Sequence, residues 1–379
     1  MSGSLRRTFS IRQRFTHQSH DDEATEAEVQ IQRERVLEAI DLLYATVDSI
    51  PKPVLDGEDM IHLKLKVEHL ATDEGEGGSL RRMFFDPLLD EAMQRFPMAE
   101  HEPTQSRLEI HNTTMDIRPP DYRPISAASA LCGNLAWQFS TAHRDNVPED
   151  KEGLHSPNLA WLSRWRYQEG FSKCMFKARY ANTVFLERNP KFQPMFSWES
   201  YDRQDKPHLM FCMKHDVRGE ERLLRGEVLA ILAAMRSRMS FQLFKKHLII
   251  PIMIFSFLGQ YGRIIQAYHD GQNLVLYKTQ LFPFFDSQTA PMDLFVRYLA
   301  NHPVGNTSQL APQPRRGQIS QAHFQPPPSA APGPSMGPDR KLRNRRSGMD
   351  WFKDHLGLHR ESDERPEVKA PPGLVPEKK

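Results

Sequence analysis

Between residues 220 and 239 the apolar side chains recur at the helical period. Leu224, Val228, Ile231, Met235 and Met239 fall on one face. Leu223, Leu232, Ala230, Ala233 and Ala234 widen that face, which predicts a helix lying on a broad surface such as a sheet. The period then changes. Residues 248–258 (LIIPIMIFSFL) form an unbroken apolar run. It is too short to cross a bilayer, which takes roughly 20 residues. Its Ile and Phe content suits a strand buried on both faces. Pro251 donates no ladder hydrogen bond, so it belongs at an edge, a bulge or the strand's start. A second strand is predicted over 263–269, a two-residue turn at Asp270-Gly271, and a third strand over 273–279. On the third, Leu274, Leu276 and Lys278 share one face and Val275, Tyr277 and Thr279 the other. Leu294, Phe295, Tyr298 and Leu299, at helical spacing within 291–301, close the unit.

The preceding chain mixes helices with short strands. Val29, Val36, Ile40, Leu43 and Val47 predict an amphipathic helix over 26–50, ended by Pro51 and Pro53. Strict alternation over 61–68 predicts a half-buried strand, and 107–111 and 207–213 two shorter ones. Helices are expected over 86–96 and 126–143, the latter with Ser126 as its cap. The whole reads as an α+β fold: helix, three-strand antiparallel meander and closing helix in the C-terminal half, mixed elements before it, and disordered termini. One composite domain is expected over 26–303, with a sub-boundary near 150 as the alternative. A disordered basic tail (1–25) precedes it and a disordered Pro-rich tail (304–379) follows.

Composition supports the tails. The apolar share is 39% and the mean hydropathy -0.60, low for a fully packed chain. Of the 29 prolines, 13 fall from Pro303 onward, in a stretch too polar to offset its ordering entropy. Arg6, Arg7, Arg12 and Arg14, with no acid among the first twenty residues, also match a mitochondrial transit peptide. The net charge of +2 creates no global field for nucleic acid or membrane. Cys132, Cys174 and Cys212 form no CxxC pair, which speaks against a zinc site or a disulfide framework. The expectation is an intracellular protein of the cytoplasm or nucleus, with the mitochondrion as the alternative and no membrane partner.

The stretch GEVLAILAAMRSRM, followed by HLIIPIMIFSFLGQYGRIIQAYHDGQNLVLYKTQLF, resembles a segment shared by many uncharacterised proteins of filamentous fungi. There a helix opening with Gly-Glu precedes two apolar strands, a tyrosine and an Asp-Gly turn. The likeness covers about a quarter of the chain and implies no activity.

The catalytic search is empty. There is no GxSxG elbow, no HExxH, no GxGxxG and no GxxxxGK. His143-Arg144-Asp145 matches the start of a kinase catalytic loop, but Asp150 stands where the metal-binding Asn belongs. No cofactor and no metal site is expected. The order helix, three strands, helix is similar to the core of restriction-endonuclease-like nucleases. That resemblance implies a helix Glu, an Asp near the second strand and an acid-x-Lys on the third. The positions here are Glu227, Asp270 and Lys278, with Leu276 where the second acid belongs.

Aromatic and basic residues interleave over 158–180, with Arg164, Trp165, Arg166, Lys173, Lys177 and Arg179 as candidates for nucleic-acid contact. The alternative is an amphipathic helix whose arginines reach out to solvent. Arg343, Arg345 and Arg346 belong to a basic cluster in the tail. These features predict a non-catalytic binding module with a protein partner. The alternative is a nucleic-acid-associated protein, or a degenerate relative of the restriction-endonuclease-like fold.

Overall fold

The run that begins at Leu248 lies at the centre of a mixed sheet. In the computed structural model the described residues are 6–72, 83–116, 123–147, 156–168, 180 and 190–310, with side chains from residue 26 onward. They fall within one compact unit, Met1–Gln321. In chain order the elements are α1 (Arg6–Ser49), α2 (Gly57–His62), β1 (Leu65–His69), β2 (Phe85–Asp86), α3 (Asp90–Arg95), α4 (Glu102–Asp116), α5 (Pro124–Ser140) and α6 (Leu159–Leu162). Then come β3 (Trp165–Tyr167), β4 (Phe192–Ser200), β5 (Leu209–His215), α7 (Arg225–Arg238), β6 (Ile252–Leu258), β7 (Tyr261–His269), β8 (Leu274–Lys278), β9 (Phe282–Pro283), α8 (Met292–Leu299) and β10 (His302–Pro303).

Eight of these strands form one sheet in the order β1-β8-β7-β6-β5-β4-β3, with β9 beside β7. β6, β7 and β8 make the expected antiparallel meander. β5 runs parallel to β6, and β1 parallel to β8. Parallel neighbours need a crossover, and α7 supplies the one between β5 and β6. Side chains alternate across the sheet. Ile252 and Ile254 join a core under α1 and α7, while Met253, Phe255 and Phe257 join a second core under α5 and α8. Covered on both faces, β6 reads in sequence as a continuous apolar run rather than an alternating one.

α7 lies between the sheet and α1, so nearly every one of its side chains is buried. α1 contributes Val36, Ile40 and Val47 to that core, as its periodicity predicts. Polar contacts fix the pair. Arg236 on α7 meets Asp41 on α1 at 2.9 Å. Arg33 on α1 donates to the carbonyls of Phe244 (2.9 Å), His247 (2.6 Å) and Met239, just beyond the end of α7. Carbonyls at a helix C-terminus lack intrahelical donors, and a guanidinium suits them in both charge and geometry.

Several expected elements are displaced. Asp56 caps α2 by accepting from Glu58 and Asp59, which claims residues 57–62 for a helix. Lys64 then turns the chain at φ 53°, and the strand starts at Leu65. The strand expected over 107–111 is the middle of α4. Thr104, Leu108, His111 and Met115 follow the helical period, and His111 lies 5.0 Å, ring to ring, from Trp137 on α5. The helix expected from Ser126 begins at Pro124, whose fixed φ and missing N–H suit a first helical position. β4 has no counterpart in the sequence-based expectation. The described chain also continues past 303: buried Thr307 accepts the backbone N–H groups of Leu248 and Ile249. Residues 311–379, with the basic cluster at 340–346, lie outside the described residues.

Candidate functional site

The charged groups nearest the meander gather at the N-terminus of α7. Glu227, in its first turn, points into the interior and is fully buried, as is Arg263 on β7. The two meet through paired bonds of 2.8 Å (Nε to Oε1) and 2.6 Å (Nη2 to Oε2). Glu227 also accepts from Ser256 on β6 (2.6 Å) and from the backbone N–H of Leu224 (2.8 Å). The remaining guanidinium donors go to the carbonyls of Glu220 (2.9 Å), Glu221 (3.0 Å) and Arg222 (3.0 Å). All five Arg263 N–H groups are thus used. Burial pushes the Glu227 carboxyl up, but the charge and bonds of Arg263 outweigh it, and the net position is below the ordinary range. His215, fully buried on β5 at the edge of this cluster, is pushed by burial down to about 4, against the pull of Glu227.

This arrangement places the three residues implied by the nuclease resemblance. Glu227 and Lys278 lie at the same end of the sheet and feel each other's charge. Lys278 pairs in register with Ile265 and sits 3.6 Å from Glu221. Burial, with Arg263 second, lowers its ammonium below the usual value. Asp270 is at the opposite end of β7. There it closes the turn by accepting from Gln272 (2.8 Å) and Asn273 (2.7 Å), and it pairs with Lys66 at 3.0 Å. The partner of Glu227 on the second strand is therefore Arg263, a cation where the resemblance implies an acid. A divalent cation does not fit this donor set, because the one buried carboxylate is fully engaged by a guanidinium and Leu276 offers no oxygen. Among the described residues no three His, Cys, Asp or Glu side chains converge on a metal position.

A second site is open to solvent. Val147, Trp161, Leu162, Arg164 and Tyr201 line a cleft of about 490 Å³. Asn158 caps α6 by accepting from the Trp161 N–H (2.9 Å). Arg164 follows in the left-handed region at φ 59°, which swings the chain out of α6 and into β3. Trp161 and Tyr201 meet edge to face, with ring centroids 6.1 Å apart. The Arg164 side chain is 67% exposed and reaches Asp202 at 3.1 Å.

Of the residues expected to contact nucleic acid, Arg164 lines this cleft and exposed Arg166 neighbours it on edge strand β3, bound to Glu199 at 2.9 Å. Trp165 is buried in the core, with its Nε1 donating to the Asn301 carbonyl (2.6 Å), so it presents no face for stacking. Lys173, Lys177, Arg179, Arg343, Arg345 and Arg346 lie outside the described residues. Sequence reasoning missed Arg263 and Tyr201. A charged residue entering an apolar strand demands a buried partner, and that signal was available at Arg263. Nothing local marks Tyr201, which joins the cleft through the pairing of β3 with β4.

Compared with known proteins, no family model, no curated protein and no solved structure matches this chain.

Proposed function

We propose that this protein is a non-catalytic binding module whose ligand site is the cleft beside β3. The observation that carries this reading is the closure of the Glu227 site. The buried carboxylate nearest the position of a catalytic acid already has a full set of bonds inside the protein. The cleft, by contrast, combines apolar walls with an exposed cation and has the volume of a small-ligand site. Kinship with the fungal family and a place inside the cell belong to the same proposal; a degenerate nuclease-like domain is the alternative reading. Among the described residues no helix is long and apolar enough to cross a membrane.

The test is a turnover assay run beside a binding assay. The purified protein is incubated with labelled nucleic acids and Mg²⁺, and separately titrated with ligands while the Trp161→Ala variant serves as reference. We expect no turnover and a binding signal that depends on Trp161. Turnover lost in Glu227→Gln or Lys278→Ala would overturn the proposal.

A further inference from the structure

Around the turn between β4 and β5, bound cations outnumber the acids they hold. Asp202 is held by Arg164 and Asp205 by Lys246 at 2.6 Å. Glu199, at the end of β4, is held by Arg166 and Arg203 from the solvent side and by Arg238 at 3.4 Å from within. Three carboxylates thus meet five cations, a local surplus as large as the net charge of the whole chain. Arg238 is fully enclosed, and its Nη2 has no hydrogen-bond partner among the described residues. Lys206, on the same turn, adds to a positive field that reaches buried His208.

Aromatic and apolar groups interleave with these cations. Tyr167 stands exposed beside Arg166 on the edge strand. Phe241 and Leu243 stand exposed just before Lys245 and Lys246. The cleft of Trp161, Arg164 and Tyr201 opens at the same end of β4.

Resting on the binding role proposed above, we infer that the cleft and the β4–β5 turn bind single-stranded nucleic acid. One base enters the cleft against the wall that Trp161 and Tyr201 form together, and the backbone phosphates follow Arg164, Arg166, Arg203 and Lys206. Planar bases supply the face that aromatic side chains stack on, and phosphates supply the charge. A duplex keeps its base faces stacked inside and cannot offer them to such a cleft. An acidic peptide matches the charge but brings no planar partner with each anion.

The experiment uses the full chain and fluorescence anisotropy with labelled single-stranded DNA and RNA of about 12 nucleotides, within the usual site size. A duplex of the same sequence, heparin and an acidic peptide are the comparison arms. We expect binding to single strands above all, with log K falling against log salt by about 0.7 per phosphate contacted. Trp161→Ala should weaken it about tenfold or more, the scale of one lost stack. Arg203→Glu and Lys206→Glu should weaken it and flatten its salt dependence. Lys64→Glu, beside the opposite edge of the sheet, changes net charge equally and should leave binding intact. Circular dichroism and melting check that each variant is folded. No single-strand binding at low salt, equal affinity for heparin, or indifference to both charge reversals would overturn the inference. Binding of the peptide through Trp161 would also overturn it while leaving the binding role standing. Turnover dependent on Glu227 would overturn that role itself.

Discussion

Glu227 and Arg263 join α7 to the middle of the sheet through two hydrogen bonds, with both side chains at 0% exposure. Removing one member of such a pair leaves the other charge buried without compensation, which costs about 3–5 kcal/mol. Arg263→Leu should therefore lower the unfolding free energy obtained from urea titration by an amount on that scale, with a matching fall in the midpoint. Arg263→Lys should recover little, since an ammonium cannot serve two carboxylate oxygens and three carbonyls from one plane. A midpoint unchanged in Arg263→Leu would show that the pair does not form in solution.

Gly226 stands in the first turn of α7, where alanine would ordinarily favour the helix by about 1 kcal/mol. A Cβ there would lie 2.7 Å from the ring of Phe192 on β4. Gly226→Ala should accordingly destabilise, and adding Phe192→Leu should recover part of the loss. Thermal melts of the two single variants and the double variant give the coupling directly.

Arg33 should behave as a cap supplied from another helix. Its three carbonyl contacts are charge-assisted, and each such bond contributes about 1.5–3 kcal/mol when measured by removal. Arg33→Ala should reduce stability by at least about 2 kcal/mol and raise amide exchange at 239–247 before the meander is affected. Uniform exchange across the two regions would refute that order.

Acid should destabilise the fold through its buried histidines. Burial holds His215 at about 4 and His208 at about 3, against 6.5 for the free side chain. Between these values the unfolded chain binds protons that the folded chain refuses. The stability linked to these histidines is thus complete above about pH 6.5 and lost progressively toward about pH 4 for His215 and about pH 3 for His208. For His215 alone the loss reaches roughly 3 kcal/mol. Glu227, held below its ordinary range, adds its own loss only at lower pH. His215→Leu should flatten the slope of stability against pH across this window in urea titrations, and an unchanged slope would refute the assignment.

The C-terminal half was the more legible part of the chain because its elements announce themselves locally. The Asp270-Gly271 turn, the apolar run of β6 and the spacing along α7 each occupy a few turns or a few residues. β4 was not legible: Pro194 interrupts its ladder, and the register shifts between Pro194 and Ser197, so no clean alternation survives. Alternation over 61–68 and 107–111 was present but lost to capping at Asp56 and to packing of α4 on α5. The site residues divide in the same way. Glu227 and Lys278 could be named from the order of elements. That Arg263 stands where an acid was sought follows from register, which the local pattern does not carry. Arg164 could be named from composition, whereas the cleft around it needs β4 in place.

Arg225 donates to the carbonyl of Ile50 across 175 residues of sequence, and β1 waits longer still for β8, with Leu65 paired to Leu274. A ribosome releases α1 first. Most of the native cover of its apolar face is missing until α7 has emerged, and β1 has no neighbouring strand until β8 follows. Folding of this domain therefore waits for β8 to be made, and until then the nascent chain exposes a surface that invites chaperones.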